Sequence, residues 1–143
     1  MAATGMSSRL PGSLRWASCA AYTVLVFLLS TMPSSSFPEV GFLQVPGMDK
    51  LVHFLMYGGY VGLACWAAFP EGKARWGRAA VIVAYCSMFG LCMEVLQLVL
   101  RPGDRSFSLG DAAANLLGAG VAVGVFILVP GPWKSRGRGA ETD

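Results

Sequence analysis

The chain has 143 residues, 55% of them hydrophobic and only 13% charged, with a formal net charge of +3. A soluble domain draws about a quarter of its residues from Asp, Glu, Lys and Arg to cover its surface, so this composition excludes one and points to a lipid-embedded chain. The positive excess is small and no basic patch interleaves with aromatics, so no nucleic acid partner is expected.

Residues 1–15 form an N-terminal arm carrying Arg9 and Arg15. The first apolar block, about 16–32, is longer than a usual signal-peptide core, and no A-x-A cleavage site follows. It reads as a retained first span. Further spans are predicted at about 51–69, 79–100 and 112–129, the last stopped by Pro130, Gly131 and Pro132. Together, residues 16–130 make one transmembrane domain, and 131–143 form a basic, disordered tail with Lys134, Arg136 and Arg138. The fold class is an all-α membrane protein, a bundle of four transmembrane helices.

Orientation follows from the basic residues. The arm, the loop with Lys73, Arg75 and Arg78, and the tail share one side and hold eight of the eleven Lys and Arg residues. Both termini are therefore expected in the cytoplasm, with the chain in the cytoplasmic membrane. Trp16, Trp66 and Trp76 read as interface anchors. Cys19, Cys65, Cys86 and Cys92 lie in apolar blocks without CxxC or zinc spacing, and read as packing residues.

On this topology the polar residues gather at the outer face. Asp49, His53 and Tyr57 recur every four residues at the head of span two, beside Lys50. Glu94, Gln97 and Arg101 share a face at the end of span three, and Asp111, Asn115 and Gly118 share one at the head of span four. Asp104 and Arg105 lie in the loop between them. A polar stripe facing lipid is costly, so all three should turn inward and line one pocket. Glu94 falls roughly 9 Å inside the helix end, at about 1.5 Å per residue. A carboxylate there calls for a proton or a cation, with Arg105, Lys50 and His53 as the available partners. Asp49 and Asp111 each have a second reading as helix N-caps. Two small-residue pairs, Gly58-x-x-x-Gly62 and Gly120-x-x-x-Gly124, offer close helix contacts.

Two strings within these stripes carry a resemblance. Asp49-Lys50-x-x-His53-Phe54-x-x-Tyr57 is the first. The second is Glu94-x-x-Gln97, then Pro102-Gly103-Asp104-Arg105-x-Phe107-Ser108-x-x-Asp111-x-x-x-Asn115-x-x-Gly118. With Ser30-x-x-Pro33, the chain resembles the VanZ-like family of small membrane proteins from about Ser30 to Gly124. The resemblance implies a compact bundle of membrane helices, and a link to glycopeptide antibiotics through the namesake's effect on teicoplanin resistance. It implies no agreed catalytic residues.

Three functions fit the stripes. The first is a binding module for a membrane lipid headgroup or a lipid-linked cell-wall precursor. Its candidate ligand-binding residues are Asp49, Lys50, His53, Tyr57, Glu94, Gln97, Arg101, Arg105, Asp111 and Asn115. The second is an intramembrane enzyme acting on a lipid ester, with His53 as general base, Glu94 as general acid and water as nucleophile. His53, Glu94 and Asp111 offer a sparse metal signature with a single histidine, so neither a metal nor a cofactor is expected. The third is a transport or structural subunit, paired with a second copy of the chain or an envelope protein.

Overall fold

The computed structural model describes residues 10–33, 45–69, 76–100 and 108–128. The expectations for Arg9, the loop residues Lys73 and Arg75, Arg101, Asp104, Arg105 and the basic tail lie outside the described residues. Those described form four helices and no strand: α1 (Gly12–Thr31), α2 (Met48–Ala68), α3 (Trp76–Leu100) and α4 (Leu109–Leu128). Each is long and apolar enough to cross a membrane.

The helices end within one residue of the apolar blocks but begin three or four residues before them. Hydropathy follows the apolar run, whereas a first helical turn carries free N–H groups and tolerates polar residues. Asp49 and Lys50 thus belong to the first turn of α2, and Asp111 to that of α4. Neither aspartate is the N-cap. Gly47 precedes α2 in the left-handed region, at φ 84°, a conformation glycine adopts without a Cβ penalty. At α4 the cap is Ser108, whose Oγ accepts the Asp111 amide at 3.2 Å.

α2 is central and packs against each of the other three helices, most extensively against α4. The cause of that close pairing is a different glycine set from the one the sequence offered. A Cβ added at Gly118 would collide with the Phe54 carbonyl, and one at Gly58 would sit 3.2 Å from the Gly118 oxygen. Gly62, Gly120 and Gly124 have open space around them. Gly58 and Gly118 therefore let the two backbones meet, which in lipid substitutes packing for the missing hydrophobic drive.

The surface is apolar and the interior holds the polar side chains. Val81, Tyr85, Val99, Leu117 and Leu128 face outward, while Ser30, Glu94, Gln97 and Asn115 are buried. This inversion of the soluble pattern follows from a solvent of acyl chains, in which every polar group must find its partner inside. The core is closed by aromatics. Tyr60 sits 6.0 Å from the Tyr22 ring, 6.5 Å from Tyr57 and 5.8 Å from Phe89, and its hydroxyl accepts Thr23 Oγ1 at 2.8 Å.

Helix ends present carbonyls that no later turn can satisfy. Two of these are served by side chains from neighbouring helices. Gln97 Nε2 donates to the Ser30 carbonyl at the end of α1, at 2.9 Å. Arg15 Nη1 donates to the Trp66 carbonyl at the end of α2, at 3.4 Å. A cation near a helix C-terminus also complements the helix dipole.

Candidate functional site

α2 and α4 run parallel, so their N-termini meet at one end of the bundle, where α3 finishes. The contacts keep this register: Lys50 on α2 faces Asp111 on α4 at 3.7 Å, and His53 faces Asn115 at 3.1 Å, one turn deeper on each helix. The two N-termini add positive potential at this end, which favours the first-turn carboxylates Asp49 and Asp111.

His53 is the centre of the cluster. Its Nδ1 lies 3.1 Å from Asn115 Oδ1 and 3.8 Å from Glu94 Oε1, and its Nε2 lies 4.0 Å from Asp111 Oδ2. An amide oxygen only accepts, so this contact is a hydrogen bond in the tautomer that carries the proton on Nδ1. That leaves Nε2 turned toward the Asp111 carboxylate. The Glu94 carboxylate comes from α3 and is 3% exposed. Gly90, one turn before it, makes room: a Cβ there would meet the Tyr57 ring at 2.8 Å and Asn115 Nδ2 at 3.0 Å. Three helices thus deliver an imidazole and two carboxylates whose ligand atoms all lie within 4.8 Å of one another. This donor set is able to hold a divalent cation or to exchange protons.

Lys50 forms the mouth. It is half exposed, bonded to Asp49 at 2.8 Å and within 3.7 Å of Asp111. Among the described residues it is the one lysine or arginine at this end of the bundle. Two polar atoms inside are buried without a hydrogen-bond partner: Asp111 Oδ1 and Asn115 Nδ2. A buried polar atom left unpaired costs about 1–3 kcal/mol.

The structure brings Lys50, His53, Glu94, Asp111 and Asn115 together, with Asp49 at the exposed rim. Gln97 is buried too, but its amide is committed to the Ser30 carbonyl. Tyr57 is buried beneath the cluster, packed on Tyr60 and against Gly90. Arg101 and Arg105 lie outside the described residues. Sequence reasoning passed over Tyr22, Thr23 and Tyr60, which lock α1 to α2. The available signal was Tyr60, three residues after Tyr57 on the same inner face.

An open groove of about 420 Å³ lies elsewhere, between α3 and α4, lined by Trp76, Ala79, Val83, Leu116 and Val123. Its lining is almost wholly apolar, and it contains none of the clustered titratable residues.

Neither a curated protein nor a solved structure matches the chain. A family model does match: VanZ/LLP1, over residues 17–130. That range takes in all of α2, α3 and α4 and most of α1, including every residue of the polar cluster. The chain belongs to the VanZ/LLP1 family.

Proposed function

We propose that the chain is a binding module of the cytoplasmic membrane, which holds the polar headgroup of a lipid or a lipid-linked envelope precursor in the cluster between α2, α3 and α4. The observation that carries this reading is the half-exposed Lys50 over a buried polar cluster, in a bundle whose described surface is mostly apolar. A lipid aligned with the bundle places its acyl chains against that surface and its headgroup at the level of Lys50. Lys50 supplies donors to a phosphate or carboxylate, and Asp49 and Asp111 hold the ammonium in position. With the positive-inside orientation, this end faces outward. That is the leaflet at which the family's association with glycopeptide resistance would act.

A second reading, a lipid-modifying enzyme, is favoured by one observation. The His53 ring is held by Asn115 at Nδ1 and stands between two carboxylates, with Glu94 beside Nδ1 and Asp111 beside Nε2, a setting that suits a general base. One experiment addresses both. The protein is extracted in mild detergent and its bound lipids are identified by native mass spectrometry. The wild type should retain a lipid with an anionic headgroup, and Lys50→Ala should lose most of it, while Arg78→Ala at the opposite end retains it. Equal retention by both variants overturns the binding reading. Conversion of added lipid to a lighter product by the wild type, absent in His53→Ala, would favour the enzyme.

A further inference from the structure

We propose that the outward face of α3 is a self-association surface, on which a second copy of this chain packs in parallel, Tyr85 against Tyr85. The inference is independent of the headgroup reading, because no residue of this face belongs to the polar cluster.

The face is a single stripe. Val81, Tyr85, Met88, Cys92, Val95 and Val99 recur in alternating steps of four and three residues, so they share one side of the helix. All six are exposed. They stand opposite Ala79, Cys86, Gly90, Met93 and Gln97, which are buried against the rest of the bundle. The stripe runs about 27 Å along α3 and carries no charge. Its spacing is that of a heptad seam, along which two helices stay in contact as they wrap around each other.

An apolar stripe alone is satisfied by lipid, and Tyr85 is the residue that is not. The chain has four tyrosines. Tyr57 and Tyr60 are buried, and Tyr22 donates to the Met56 carbonyl at 3.0 Å. Tyr85 is 65% exposed, and its hydroxyl has no hydrogen-bond partner among the described residues. It lies nine residues past Trp76, roughly 13 Å into the helix. Its side chain leans back toward the helix start by about one turn, so the hydroxyl still faces acyl chains. An unsatisfied polar group there is costly.

The chemistry of that group names the occupant. Acyl chains offer a hydroxyl neither donor nor acceptor. A phenolic hydroxyl is both at once, so one can donate to another across a two-fold axis. An axis along the membrane normal keeps both copies in the same orientation and sets each residue of the stripe beside its own counterpart, at the same depth. Valine, methionine and cysteine then pack like against like, and no charged group meets its twin.

The test uses the full chain reconstituted in phosphatidylcholine vesicles at a high ratio of lipid to protein. Cys92 serves as the probe, since it is the one exposed cysteine of the four. Oxidation with copper phenanthroline should give a disulfide-linked dimer in the wild type and none in Cys92→Ser. Within Cys92→Ser, adding Met88→Cys should restore the cross-link. Adding Leu117→Cys instead, on α4 and as exposed as Met88, should not. Self-association is measured separately, by energy transfer between fluorescent C-terminal fusions as lipid is added. Tyr85→Phe should weaken it about 3- to 20-fold, the range for an interhelical hydrogen bond in lipid, with helical circular dichroism unchanged. The proposal is overturned by a chain that cross-links through neither Cys92 nor Met88→Cys, by equal cross-linking through Leu117→Cys, or by a Tyr85→Phe protein that associates as the wild type does.

Discussion

Individual polar side chains in this protein are committed to named partners, and the cost of removing each follows from what it leaves behind. Gln97 serves a carbonyl at the end of α1, where no helical turn remains to do so. Gln97→Leu keeps the volume and orphans the Ser30 carbonyl, so it should destabilise the bundle by about 1–2 kcal/mol. Tyr60→Phe removes one hydroxyl from its bond with Thr23, while the threonine keeps the Cys19 carbonyl as a second partner. Its cost should be nearer to ~0.6 kcal/mol, a usual value for an interhelical bond in lipid. Denaturant unfolding in mixed micelles, followed by circular dichroism, ranks the two. A larger loss for Tyr60→Phe would show that the carbonyl of α1 finds another donor. Glu94 was legible as unusual from its depth in an apolar run. Its neighbour was not, because spacing places residues on a face but does not pair one face with another.

Among the helices, the α2–α4 pair positions the site. The two run parallel and meet at Gly58 and Gly118, and that contact sets the register in which Lys50 reaches Asp111 and His53 reaches Asn115. Gly118→Ala pushes a methyl group into the Phe54 carbonyl, which is backbone and unable to rotate away. It should cost about 1–3 kcal/mol, as overpacking does, and weaken binding at the cluster by shifting the two faces. Gly120→Ala, in open space, should be neutral or slightly stabilising, since alanine is the better helix former. Thermal unfolding in detergent compares them. An equal effect of the two would mean that the glycine contact does not govern the pairing. The two G-x-x-x-G pairs pointed to the right helices, but the contact uses Gly58 and none of the other three. A four-residue interval tests only whether small residues share a face, and it is silent about which face meets a backbone.

The whole molecule is a membrane bundle turned inside out relative to a soluble one, with its polar cluster at one end and Arg15 serving the α2 terminus at the other. The distribution of basic residues predicts that the cluster end faces outward. Fusion of a fluorescent protein and of alkaline phosphatase to the C-terminus checks this. A C-terminus on the cytoplasmic side should give a fluorescent protein and an inactive phosphatase, and the reverse would place the cluster on the inner face. The four apolar helices and the polar stripes on three of them could be read from residue order. Hydropathy and helical period are properties of consecutive residues, so they need no fold to be seen. The pairing of His53 with Asn115, the arrival of Glu94 beside it and the diversion of Gln97 to α1 required the packed bundle. Each depends on the angle and depth at which one helix meets the next, and backbone contacts such as Gly118 against Phe54 fix those across residues far apart in the chain.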